Sequence, residues 1–335
     1  MNLTSPSQVK AWCIEHDFHP NKTLGQNFLI DRNILEAIVD AGLDGVAQDE
    51  PILEIGPGLG VMTQELLRRG HDVIAIEKDT FLSQGLEERV RSEAAKGGRL
   101  VVVTADALDV IGPRAKERGP RDDAQELGAN GNSTIPQFHN STIPQYLISN
   151  LPYQAGTRIL LEMVQARRMK SMTVLLQTEV AERLAAKEGG RDRSLAGVWA
   201  QLDYDVSIVR KVGANCFWPR PEVGSSVAKL VRHERNASLD DEERKIFHSI
   251  TKQAFAHRRK QLGTIFKGQG ARAKERGPRV EGQGPRVEGQ EMSETLNSQL
   301  STFNSQLSTL MQRRPEQLSI DEWILLAKGM KNGDD

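Results

Sequence analysis

The four residues Asn150-Leu151-Pro152-Tyr153 carry the groups needed to hold an aromatic exocyclic amine for alkylation. Such a nitrogen, of which N6 of adenine is one biological example, has its lone pair delocalised into the ring and is a poor nucleophile. Acceptors that take both of its hydrogens favour a more tetrahedral, more reactive nitrogen. The side-chain carbonyl of Asn150 is one such acceptor, and a backbone carbonyl at Leu151 or Pro152 is the other. Pro152 fixes its own φ and biases Leu151 toward an extended backbone, which holds the carbonyl in place. Tyr153 offers a ring on which an extruded base can stack. The same four residues could also be a plain turn with a buried tyrosine, so their reading depends on what stands upstream.

Upstream, Glu54-Ile55-Gly56-Pro57-Gly58-Leu59-Gly60 sits where a strand turns into a helix. Glycines there let the backbone approach a ligand closely, and the helix N-terminus adds partial positive charge. A dinucleotide fingerprint needs G-x-G-x-x-G, and Val61 and Thr63 stand where its last glycine would be, which disfavours NAD. The E-x-G-x-G-x-G pattern instead resembles the first motif of Rossmann-like methyltransferases, whose methyl donor is S-adenosylmethionine. Glu77, ending the next strand, can accept both ribose hydroxyls of an adenosine. Asp106, following the third strand, can accept from the exocyclic amine of its adenine. Each acid alone could be a helix cap, but three strand ends carrying the expected groups point together to that donor.

The elements that must position these residues alternate. Strands are expected over Pro51–Gly56, His71–Glu77, Leu100–Ala105, Tyr146–Asn150 and Met172–Gln177. Helical segments follow the first, second, fourth and fifth of them. This predicts an α/β fold with a parallel sheet covered on both faces and ligands at the carboxyl ends of the strands. Repeated peptides interrupt the order: RAKERGPR at 114–121 and 272–279, NSTIPQ at 132–137 and 140–145, GPRVEGQ at 277–283 and 284–290, NSQLST at 297–302 and 304–309. Their Gly, Pro, Ser, Gln and charged composition cannot supply a core, so 112–145 and 268–309 are expected to be flexible surface insertions.

Composition excludes other classes. No apolar run approaches the roughly 20 residues of a membrane span. Cys13 and Cys216 are too few for a disulfide framework or a zinc site, and no metal site is expected. With no apolar signal segment at the N-terminus, a reducing cytoplasm is the expected address. The net charge is −1, yet Val206–Lys267 holds 13 Lys/Arg against 6 Asp/Glu. Its last part, Arg244–Lys267, holds seven bases and no acid, a composition able to contact phosphates.

Further stretches fit one family. Lys22–Leu29 (KTLGQNFL), Leu176–Leu184 (LQTEVAERL), Phe217–Ser225 (FWPRPEVGS), His257–Lys260 and Arg314–Ser319 together resemble the ribosomal RNA adenine N6,N6-dimethyltransferases of the small subunit. The resemblance covers nearly the whole chain outside the two insertions; Thr178 replaces the family's usual Lys. It implies a Rossmann-like class I methyltransferase domain over 1–205 and, over 206–335, the F-x-P-x-P strand segment with a small α-helical RNA-binding domain. It implies donor contacts at Asn27, Leu29, Gly56, Gly58, Glu77, Asp106 and Asn150. Phe217 would pack on the target adenine opposite Tyr153, and Arg258, Arg259 and Lys260 would lie near RNA. The implied activity is dimethylation of two adjacent adenosines in the 3′-terminal hairpin of 16S rRNA, on the small ribosomal subunit precursor, by a monomer with a part in subunit biogenesis. The alternatives are a 23S rRNA adenine methyltransferase of the macrolide-resistance type, which usually has Ile where Leu151 stands, or an assembly factor acting mainly by binding.

Overall fold

The computed structural model describes residues 1–21, 25–94, 97–111, 144–266 and 305–331. The described chain divides into two units, Met1–Ala185 with Asp203–His233, and Ala186–Leu202 with Glu234–Asp335. Most of both repeat-bearing segments, 112–143 and 267–304, and Lys22, Thr23 and Leu24 of the first family motif, lie outside the described residues.

In the first unit, α1 (Pro6–Glu15), β1 (Phe28–Leu29) and α2 (Arg32–Leu43) precede the sheet. The strands β2 (Ile52–Ile55), β3 (Val73–Glu77), β4 (Leu100–Thr104), β5 (Tyr146–Asn150) and β6 (Ser171–Gln177) pair in parallel in the order β4-β3-β2-β5-β6. β2 is buried at all four positions and β6 at six of seven, as strands covered on both faces must be. Between them run α3 (Val61–Arg68), α4 (Thr80–Gln84), α5 (Leu86–Ala94), α6 (Ala107–Ile111) and α7 (Gly156–Ala166), with α8 (Thr178–Ala185) after β6. The sheet core gathers Ile38, Val39, Ile52, Leu66, Ile148 and Leu175, all fully buried. The Asp31 side chain accepts from the Ile34 N–H and so starts α2, whose Ile34, Leu35, Ile38 and Val39 then enter that core.

The expected parallel sheet is present, and it is longer than expected. β7 (Tyr204–Val212) and β9 (Ser225–Arg232) add antiparallel, giving seven strands in the order β4-β3-β2-β5-β6-β9-β7. β8 (Phe217–Trp218) pairs with β1, Leu29 opposite Phe217. The boundary expected at 205/206 is therefore corrected. Residues 206–233 belong with the catalytic sheet because β9 pairs along the whole of β6, from Ser171↔Val231 to Gln177↔Ser225. Residues 186–202 go the other way.

The second unit comprises α9 (Leu195–Asp203), which begins in it, α10 (Asp241–Ala256), α11 (Leu262–Ile265), α12 (305–310) and α13 (Ile320–Lys331). A capping box between Asp240 and Glu243 starts α10. Val198, Phe247, Ile250, Leu262, Leu310 and Trp323 form its core. The expectation that 268–309 is a surface insertion throughout is corrected at its end. Residues 305–310 are helical, Leu310 is buried, and Leu307 and Met311 pack on that core. The polar repeat NSQLST conceals a spacing of three and four residues between Leu307, Leu310 and Met311, which is one face of a helix. Likewise, Pro144 is buried and the Gln145 carbonyl accepts from the Lys170 N–H at 2.7 Å, so the first insertion gives way to the sheet before Tyr146. Among the described residues no helix is long and apolar enough to cross a membrane.

Truncating a side chain that fills the second core tests this assignment. Leu310→Ala should lower stability by about 2–4 kcal/mol in chemical denaturation; an unchanged midpoint would place 305–310 outside the core.

Candidate active site

One cavity opens at the carboxyl ends of β2, β3 and β5 and the start of α6, lined among others by Gly56, Gly58, Glu77, Asp106, Asn150 and Tyr153. β2 leads into a turn in which Gly56, Gly58 and Gly60 have φ of 68°, 59° and 94°. Gly60 starts α3 in this left-handed conformation, and a Cβ there would lie 2.6 Å from Leu86 Cδ1. Only glycine satisfies both demands.

Glu77 closes the turn from the next strand. Its side chain is buried, one carboxylate oxygen accepts from the Gly58 N–H at 3.0 Å, and the other accepts from the Asp79 N–H at 2.9 Å. Burial pushes its pKa up, against the opposing pull of those N–H donors. A carboxylate has about four acceptor positions, so two such bonds leave capacity for the hydroxyls of a ligand. Asp106 follows β4 and is held by the Lys78 ammonium at 2.9 Å and the Leu108 N–H at 2.9 Å. Lys78, first, keeps its carboxyl below the usual range, so it stays ionised and can accept an amine hydrogen.

The Asn150-Leu151-Pro152-Tyr153 segment caps β5. The Asn150 side-chain N–H donates to the Asn27 carbonyl at 3.1 Å, and the Asn27 side chain donates to the Gly25 carbonyl at 3.1 Å. This fixes which end of the Asn150 amide donates, and its carbonyl oxygen is the end left to accept. The two backbone carbonyls considered for the second acceptor separate here. The Pro152 carbonyl takes the Ala155 and Gly156 N–H groups at 3.2 and 2.6 Å as α7 begins, which leaves Leu151 as the acceptor of choice. Tyr153 is half-buried and its hydroxyl bonds Ser225 Oγ at 2.5 Å, anchoring the ring to the first residue of β9.

Asn27, Leu29, Gly56, Gly58, Glu77, Asp106, Asn150, Leu151, Pro152 and Tyr153 all line the one cavity. Phe217 does not join them. Opposite Leu29 in the β1–β8 pair, it is buried in the sheet core with Cys216 and Val227, and it is absent from the cavity wall. In the second unit, Arg259 and Lys260 are exposed, whereas Arg258 is half-buried, donates to the Arg191 carbonyl and lies 3.8 Å from Glu316. Arg244, counted with the basic stretch, is buried and donates to the Leu239 and Asn236 carbonyls, so it is a structural cation.

Two site residues escaped the sequence reading as participants. Ser225 was visible only as a motif position; that it holds Tyr153 depends on β9 lying beside β6. Glu54 opens the glycine motif, yet its state follows from depth alone. It is 2% exposed, accepts from Thr63 Oγ1 at 2.6 Å and lines the cavity, and burial pushes its carboxyl up to about 8.

That elevation has a sign. The folded protein holds the Glu54 proton more tightly than the unfolded chain, whose carboxyl titrates near 4.5. The stability it contributes is full below pH 4.5 and is lost as pH rises through about 8. Glu54→Gln, which cannot ionise, should flatten the fall of melting temperature across that window. Parallel melting curves of the two proteins from pH 5 to pH 9 would show that Glu54 is not protonated.

Comparison with known proteins points to one family. A family model described as "Ribosomal RNA adenine dimethylase" matches residues 17–302. The chain is 37% identical over 268 residues to "Ribosomal RNA small subunit methyltransferase A" of Deinococcus radiodurans, covering 80% of this chain and 79% of that protein. It is 35% identical over 263 residues to the protein of the same name from Moorella thermoacetica, covering 78% and 83%. Among solved structures, a dimethyladenosine transferase from Plasmodium falciparum is similar with a TM-score of 0.62 and 20% identity, covering 91% of this chain and 97% of that one. The 23S rRNA methyltransferase ErmE is similar with a TM-score of 0.57 and 18% identity, covering 91% and 100%. These two support the fold alone. With the family model spanning most of the chain and the site motifs gathered in one cavity, the chain belongs to the ribosomal RNA adenine dimethylase family.

Proposed function

We propose that the protein dimethylates N6 of two adjacent adenosines in the 3′-terminal hairpin of 16S rRNA, as a monomer acting on the small ribosomal subunit precursor in the cytoplasm. As a member of its family it is an S-adenosylmethionine-dependent RNA methyltransferase. The observation that carries the adenine reading is the pinned amide of Asn150, which presents an acceptor oxygen at the edge of a cavity built by the glycine turn and Glu77.

The residues present fit the methyl donor. Glu77 and Asp106 offer carboxylates in the two places that ribose hydroxyls and an adenine amine require, and the glycine turn admits a ligand against backbone. When bound, the donor supplies a sulfonium methyl with a good leaving group. What remains for the protein is to hold an amine in line and dry. Asn150 Oδ1 and the Leu151 carbonyl accept the two N6 hydrogens and draw the nitrogen toward a tetrahedral, nucleophilic shape. Tyr153 supports the base from its face, and Ser225 fixes the ring at the angle the sheet dictates. No general base is required to start the reaction, because the attacking lone pair belongs to the neutral amine; the methylated nitrogen then sheds one proton to water. A once-methylated amine keeps one hydrogen, so a single acceptor suffices for the second transfer. The exposed Arg259 and Lys260 are placed to contribute salt-dependent phosphate contacts.

A 23S rRNA substrate is an outcome that the test distinguishes; the relatives named for the small subunit favour the first reading. Labelled methyl should pass to unmodified small-subunit particles or RNA, with product mapping to two neighbouring dimethylated adenosines. Transfer to large-subunit RNA instead refutes the assignment. Asn150→Ala should reduce the rate by about 100-fold or more, and undiminished turnover would refute the role given to the amide. Ser225→Ala, which frees one tyrosine bond worth about 1 kcal/mol, should lower kcat about fivefold with donor affinity unchanged. An unaltered kcat would mean that the Tyr153 ring needs no anchor.

A further inference from the structure

Arg89, on α5, is a half-buried cation that the methyl-transfer chemistry does not use. Its Nε donates to the Leu59 carbonyl at 3.2 Å, and its Nη2 donates to the Gly58 carbonyl at 3.3 Å and to the Leu82 carbonyl. The guanidinium thus holds the outer side of the glycine turn and the end of α4 together. Gly58 is held from both sides, its N–H by Glu77 and its carbonyl by Arg89. In a trans peptide the N–H points opposite the carbonyl, so the Leu59 N–H is turned away from the guanidinium. Room for the guanidinium comes from Gly85, where a Cβ would stand 2.4 Å from Arg89 Nη1.

The other face of the guanidinium lies 5.3 Å from the ring centroid of Trp12, on α1. Trp12 itself sits in a cluster with His16, Phe18 and Phe81. The segment that α1 anchors reaches the cavity: Leu3 is 2% exposed, lines it, and packs in one cluster with Phe28, Leu59 and Leu82. A three-glycine turn has wide conformational freedom of its own. Arg89 therefore shares with Glu77 in fixing the turn, and it alone of the two also seats the N-terminal helix.

We propose that Arg89 is a positioning residue for the donor-binding turn, and that its seat beneath Trp12 makes the segment Met1–Phe18 a wall of that site whose docking is coupled to donor binding. This rests on the reading of the cavity as the S-adenosylmethionine site. Coupling is reciprocal: whatever frees the segment weakens the ligand, and the ligand protects the segment.

The test measures binding of S-adenosylhomocysteine to the full chain by calorimetry, alongside thermal melting and tryptic cleavage at the exposed Lys10. Arg89→Met should weaken binding about tenfold or more and Arg89→Lys by less, with kcat at saturating donor within about twofold of wild type. Trp12→Leu should weaken binding about threefold and abolish the protection of Lys10 that the ligand gives the wild type. Wild-type affinity in a folded Arg89→Met protein, or a fall in kcat with unchanged affinity, overturns the proposal. Should Arg89→Met fail to fold, wild-type affinity in both Arg89→Lys and Trp12→Leu overturns it equally. A wild-type protein that binds no S-adenosylhomocysteine would instead refute the donor reading beneath it.

Discussion

Everything at the site depends on β2 lying between two parallel partners, β3 on one side and β5 on the other. Parallel pairing sends all three chains out of the sheet at the same edge, and chain order reverses about β2, so the following loops diverge there. The gap between them is the cavity. Gly56 leaves β2, Glu77 ends β3 and Asn150 ends β5, so three residues distant in sequence become neighbours through strand register. The glycines then let the β2 loop fold back tightly enough for Glu77 to accept from it.

Charge at this edge is arranged by depth. Asp106 is partly exposed and held ionised by Lys78, while Glu54, two residues before Gly56, is buried deeply enough to keep its proton near neutral pH. Glu77 lies between these extremes, buried yet supplied with backbone donors. Three carboxyl groups within one cavity therefore do not all repel one another: the deepest is neutral, and the other two retain the acceptor capacity that hydroxyls and an amine require.

What the sequence made legible was what local chemistry dictates. Left-handed glycines and acids at strand ends announce themselves, because few other residues fit those conformations or places. The five parallel strands were readable as apolar runs for the same reason. β7 and β9 were not, because β7 is an edge strand carrying Arg210 and Lys211 on exposed positions and its register shifts between Ile208 and Arg210. The choice between Leu151 and Pro152 was hidden too, since it turns on where α7 begins. The resemblance puts Phe217 at the target adenine, a role that no local signal in the sequence carries, and the β1–β8 pairing packs its side chain in the sheet core.

That small pairing also governs when the site can exist. Asn150 is positioned by Asn27, 123 residues earlier, and the loop carrying Asn27 leads into β1, whose partner is β8 at Phe217–Trp218. A chain emerging from the ribosome can form β2, β3 and the glycine turn early. Its N-terminal loop finds its seat only after residue 218 has been made, so closing the site requires a contact of high sequence separation. A truncated or unfinished chain would own most of the donor-binding residues without a settled Asn150. Competence to hold the amine is thereby reserved for molecules whose catalytic sheet is complete.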